Sequence, residues 1–131
     1  MAFPVEMKWI HATQEKLGVK FPTSFIVAMS KCNGGGIETE MDSWSVFPFW
    51  DASDKKRLKR TCNSIDRETQ SAREGWFGFP SDGVAIAGGM CGDVMLLLPM
   101  RDAPDTLQHT IYWWDHETGD VHWLADDFGD L

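Results

Sequence analysis

The sequence predicts one α+β domain over residues 1–131, with N-terminal helices packed on a mostly antiparallel sheet and a short C-terminal helix. Three observations predict it. Apolar residues recur at helical spacing up to about Cys32. From Gly83 onward, short apolar runs alternate with glycine turns. Helices lead and strands follow, without the strand–helix alternation of parallel sheets. The 131 residues suit a single domain and suffice for a core of its own. No repeat, low-complexity tract or long linker divides them.

Pro4 to Leu17 reads as the first helix. Proline suits a first turn. Val5, Trp9, Thr13 and Leu17 recur every four residues, with Ile10 beside Trp9. Gly18 is placed to end it. Pro22 to Cys32 reads as a second helix, with Phe25 and Met29 on one face and Thr23 or Ser24 able to cap its free amides. Asn33-Gly34-Gly35-Gly36 must break it, because glycine accepts positive φ without steric cost.

Trp44 to Phe49 alternates aromatic and small residues, a strand ended by Pro48. Asp51 to Glu74 holds seven Lys/Arg against five Asp/Glu and reads as one or two exposed helices. Gly83–Ala87 and Val94–Leu98 read as strands joined through Gly88 to Asp93. The second is a continuous apolar run, as expected of a strand buried on both faces. Thr110–Asp115 and Val121–Trp123 flank His116-Glu117-Thr118-Gly119, a four-residue hairpin loop with Gly119 at the left-handed position. Leu124 to Leu131 reads as a terminal helix, with Leu124 and Phe128 one turn apart.

Composition narrows the function. The net charge of −8 opposes bulk binding to nucleic acid or anionic membrane. The longest apolar stretch, Val94 to Pro99, is too short to span a bilayer. Met1-Ala2-Phe3-Pro4 shows neither the basic nor the apolar region of a signal peptide. Three widely spaced cysteines, Cys32, Cys62 and Cys91, fit reduced thiols, and a cytoplasmic location is the expectation.

Leu17-Gly18-Val19-Lys20-Phe21-Pro22, followed by a short helix and Asn33-Gly34-Gly35, resembles the opening of the SUKH superfamily. That group of bacterial immunity proteins also contains a fungal cell-wall regulator. Trp9 stands where the family has a first-helix tryptophan. Val84–Ala87 with Gly92-Asp93-Val94 resembles its central strand, glycine turn and next strand. Tyr112 to Val121, including Gly119, resembles its hairpin, and Leu124–Phe128 its last helix. The segment 51–75 lies outside the likeness. The resemblance implies an α+β fold, structural roles for Trp9, Pro22, Asn33, Gly34, Gly35, Gly92 and Gly119, and no catalysis. Bacterial members bind and neutralise a toxin, often a nuclease. The fungal relative is a signalling scaffold, so the fold alone does not decide function.

The residues themselves argue against chemistry. Asn33 to Gly36 is followed by Ile37-Glu38 and not by the Lys-Ser/Thr of a phosphate loop, and these glycines close a helix where such a loop opens one. His116, Glu117 and His122 could be drawn together as metal ligands. The predicted register nevertheless sets Asp115 opposite Asp120 and Trp113 opposite His122, with no zinc spacing present. No metal and no cofactor is expected. Cys32 falls at a helix C-terminus and Cys91 beside Asp93, where a thiolate is disfavoured. Lys55 to Arg60 reads as a solvated helix face and not as a nucleic-acid site.

The feature weighted most is acidic. Asp102, Asp105, Asp115, Glu117, Asp120, Asp126, Asp127 and Asp130 occur with no Lys or Arg after Arg101. Such a field steers a basic protein partner. Along the hairpin's first strand, Tyr112 and Trp114 share one face and Ile111 and Trp113 the other. If one face is open, its aromatics anchor an interface. The expectation is a non-enzymatic immunity protein that occludes a basic toxin domain through Asp115, Glu117, Asp120, Asp126, Asp127, Tyr112 and Trp114. The alternative is a general binding scaffold without a toxin.

Overall fold

A computed structural model describes residues 2–131. Among them are four α-helices: α1 (Met7–Leu17), α2 (Thr23–Lys31), α3 (Lys55–Arg60) and α4 (Ile65–Gly75). Six strands form one sheet: β1 (Gly35–Glu38), β2 (Ser43–Val46), β3 (Val84–Gly89), β4 (Val94–Leu97), β5 (Ile111–Trp114) and β6 (Val121–Ala125). The strands lie in chain order and every neighbouring pair is antiparallel. The expected α+β architecture is therefore the observed one.

The first helix begins at Met7 and not at Pro4. The Val5 N–H donates to the Ser30 carbonyl at 3.2 Å, which draws the chain before α1 out along α2 as an extended segment. Gly18 ends α1 at φ 70°. Helix α2 buries Phe25 and Met29, the face its spacing predicts, and Pro22 precedes it in extended backbone. Strand β1 was not expected. Two glycines among its four residues hide its strand character, yet Gly35 pairs with Val46 and Ile37 with Trp44.

Segment 51–75 does fold as two helices, but only α3 buries none of its residues. Helix α4 buries Ile65, Asp66, Thr69 and Ala72. Its inward polar groups are satisfied, which is why a polar helix can pack. Thr69 Oγ1 accepts the Ala85 N–H at 2.9 Å, at a bulge in β3. Asp66 accepts the Ser64 hydroxyl at 2.6 Å and meets Lys16 Nζ at 3.0 Å.

The C-terminal helix is also corrected. Leu124 and Ala125 complete β6, and only Phe128–Asp130 forms a 3₁₀ turn. Phe128 still turns inward, edge-on to Phe25 at 4.9 Å.

The core lies on both sides of the sheet. The larger part holds Ile10, Phe25, Met29, Phe49 and Ile65 against Val84, Ile86, Met95, Leu97 and Ile111. The smaller holds Ala85, Val94, Leu96 and Trp114 with Ala72 and Phe79. Every residue of β4 is buried, as its unbroken apolar run predicts.

Candidate functional site

The β5–β6 hairpin carries most of the predicted site. Its register sets Trp113 opposite His122 and Trp114 opposite Val121. The Asp115 N–H donates to the Asp120 carbonyl at 2.8 Å, and the Gly119 N–H to the Asp115 carbonyl at 2.7 Å. Gly119 stands at φ 79°, the left-handed position its loop length predicts. Asp115 folds its carboxylate back onto the Glu117 N–H at 2.9 Å. That bond, with contributions from Thr118 and His116, holds the Asp115 carboxyl below the ordinary carboxylate value.

The hairpin tip is buttressed from two directions. A Cβ on Gly78 would lie 3.2 Å from the Gly119 Cα, so the loop after α4 approaches the tip closely. On the other side, Asp93 accepts both the His116 main-chain N–H at 3.1 Å and the ring Nδ1 at 2.7 Å. The ring lies over Gly92, where an added Cβ would meet it at 3.3 Å. The Asp93 hydrogen bond, helped by the charges of Asp93, Glu117 and Asp115, raises the His116 pKa above its usual 6.5.

The predicted acids fall into two groups. Asp115, Glu117 and Asp120 crown the tip, with Glu117 and Asp120 exposed. Asp126 and Asp127 lie past the other end of β6, roughly 20 Å from Asp120 by strand rise. Asp126 accepts the Trp123 Nε1–H at 3.1 Å. Asp127 accepts the Ser24 hydroxyl at 2.7 Å and the Gly129 N–H at 2.9 Å, with His109 Nδ1 at 3.4 Å. The Ser24 bond above all keeps its carboxyl below the ordinary value.

The aromatic residues are placed differently from expectation. Trp114 is 3% exposed and lies beneath Trp76, stacked at 5.5 Å and 11°. It is a core residue of the second face, not a surface anchor. Tyr112 is half-buried and donates its hydroxyl to Gln108 Oε1 at 2.9 Å. Among the described residues the exposed aromatics are Trp123 at 60%, Trp76 at 41%, Phe77 at 100% and, at the margin, Trp50 at 36%. Trp123 lies opposite Tyr112 on β6, and its exposure follows from an edge position that sequence does not display. Trp76 and Phe77 border an open hollow of about 650 Å³ against His116, Glu117 and Thr118. Joining segments near residue 77 and residue 117 is a tertiary event without a local signal.

Asp93, Asp115 and His116 each offer a ligand atom within 4.8 Å of the others. This is not the His116, Glu117 and His122 set that the sequence suggests, and Oδ1 of each aspartate accepts bonds that shape the tip. The three thiols are free and exposed.

The predicted structural residues have concrete roles. Asn33 Nδ2 donates to the Phe49 carbonyl at 2.9 Å and its Oδ1 accepts the Phe49 N–H at 2.8 Å. Gly34, at φ 115°, lets the chain pass the Val46 carbonyl, which a Cβ would meet at 3.1 Å. Gly35, at φ 97°, opens β1, so the glycine run ends one helix and starts a strand. Trp9 packs edge-on against Trp50 at 5.4 Å. In the basic run, Asp54 caps α3 and binds Arg57 at 2.6 Å, while Arg57 and Arg60 lie over Phe3 at 4.5 and 4.9 Å.

Compared with known proteins, residues 4–131 match the family model described as the SMI1 / KNR4 family (SUKH-1). No curated protein and no solved structure matches the chain.

Proposed function

We propose, from the premise that this chain belongs to the SMI1 / KNR4 family (SUKH-1), that it is an immunity protein which neutralises a toxin domain by stoichiometric occlusion. The supporting observation is the hairpin. Asp115, Glu117 and Asp120 at one end and Asp126 at the other flank exposed Trp123, in a stretch without Lys or Arg after Arg101. Carboxylates oppose basic residues on the partner and accelerate encounter. The indole supplies apolar area that a partner desolvates. A basic toxin face suits a nuclease, whose active site attracts phosphates.

No catalytic role is assigned to any residue. His116 is committed to Asp93, and the exposed thiols belong to no nucleophile–base pair in this reading. The family's implied alternative, a regulatory scaffold, calls on the same surface.

Titration calorimetry against the toxin domains found among the products of the neighbouring genes tests the proposal. One-to-one binding that weakens with salt supports it. Absence of heat with an active, folded toxin overturns it.

A further inference from the structure

The sheet has two open edges, β1 and β6. Strand β1 offers two glycines and one apolar side chain, Ile37. Strand β6 is different. Asp115 and Asp120 form a hydrogen-bonded pair. Antiparallel pairs alternate between bonded and non-bonded, so the Trp113–His122 pair is bonded and the flanking pairs, Trp114–Val121 and Tyr112–Trp123, are not. The main-chain N–H and C=O groups of Val121 and Trp123 therefore point away from β5, along the free edge. No Lys or Pro on β6 blunts that edge.

We infer that the free edge of β6 receives an extended, Lys/Arg-bearing segment of the partner as a seventh strand. This rests on the docking reading above and names its mode: main-chain bonds to Val121 and Trp123 supply alignment, and alternate side chains meet the Trp123 indole. Charge selects the occupant. Asp120 precedes the strand and Asp126 follows it, so the two acidic groups separated in the hairpin bracket one edge. A second copy is a poor occupant. Antiparallel self-pairing centred on Trp123 sets Asp120 of one copy opposite Asp126 of the other, and like charges facing across strands are unfavourable. A strand with cations spaced to meet both ends gains where a second copy loses.

The test uses the full chain and a capped alternating Lys-Val peptide long enough to span β6, with a Glu-Val peptide as control. At saturating Lys-Val peptide, amide exchange at Val121 and Trp123 slows by about tenfold or more while His122, already bonded to β5, changes little. V121P removes one outward N–H at an edge position that tolerates proline and weakens peptide binding by about tenfold, the size of one lost hydrogen bond. Exchange on the wild-type chain keeps the test decisive should V121P fold poorly. Binding that needs Glu117 and Asp120 yet leaves exchange at Val121 and Trp123 unchanged overturns strand addition and leaves acidic docking standing. Equal affinity for both peptides, or none for Lys-Val, also overturns strand addition, and the toxin titration then judges the docking reading separately.

Discussion

Asp115 donates its main-chain N–H to the carbonyl of Asp120 at 2.8 Å, so two residues of like charge close the neck of the hairpin loop. Their side chains are not equivalent. Asp115 accepts the Glu117 N–H at 2.9 Å and shapes the loop, whereas Asp120 is exposed. Charge reversal for function therefore belongs at Glu117 and Asp120. The double variant E117K/D120K retains the fold, as seen by circular dichroism and an unfolding midpoint near wild type. Its association rate with a basic partner falls by about tenfold or more at low salt, and the difference narrows as salt screens it. An unchanged rate at low salt removes the hairpin tip from the interface.

Trp123 carries its exposed indole at the sheet edge. Trp123→Ala changes stability by about 0.5 kcal/mol or less, as expected of an exposed position, but weakens a complex that covers it by about 2 kcal/mol. Trp114→Ala behaves in the opposite way. It empties a buried site beneath Trp76 and costs about 3 kcal/mol or more of stability. Comparing urea unfolding with affinity separates the two tryptophans.

Asn33 bridges the end of α2 to Phe49, both groups being buried. Asn33→Ala leaves the Phe49 N–H and C=O without partners and destabilises by about 2–3 kcal/mol. Chemical denaturation measures this directly, and a loss below 0.5 kcal/mol (about the scatter of surface changes) contradicts the bridging role.

His116 titrates above its ordinary 6.5 because Asp93 binds its ring. A group whose pKa is raised on folding contributes stability that is complete below the unfolded value and fades as pH rises through the folded one. The hairpin tip is thus firmer below about pH 6.5 and loosens above the His116 pKa. NMR titration of the ring protons places that pKa higher in the wild type than in D93N. Identical titrations in the two proteins contradict the pairing.

Gly119 sits at φ 79°, and Gly119→Ala costs about 1–2 kcal/mol through left-handed strain. The loss is read in the thermal midpoint, with no change in the far-UV spectrum.

Legibility in the sequence followed the range of the interaction. The α2 face, the fully buried β4 and the hairpin loop with Gly119 are written in local spacing and turn chemistry, and they formed as read. Strand β1 was hidden because its glycines spoke for a helix stop, and they serve as both stop and start. Helix α4 looked exposed because its buried face includes Asp66 and Thr69, whose partners Lys16 and Ala85 are remote in sequence. The terminal segment had helical spacing, but pairing of Leu124 and Ala125 with the sheet claimed its first residues. The acids and aromatics of the site were identifiable by type. Which tryptophan faces solvent was not, because burial of Trp114 depends on Trp76, brought over it by the fold.

Growth rescue tests the central claim most directly. Each product of the neighbouring genes is expressed alone, with the wild-type chain, and with E117K/D120K at matched folded levels, and any that arrests growth is scored for rescue. Docking through the acidic hairpin predicts that the wild type restores growth and that the double variant restores markedly less. Equal killing with and without the wild-type chain contradicts neutralisation, and full rescue by the double variant contradicts the acidic surface as its means.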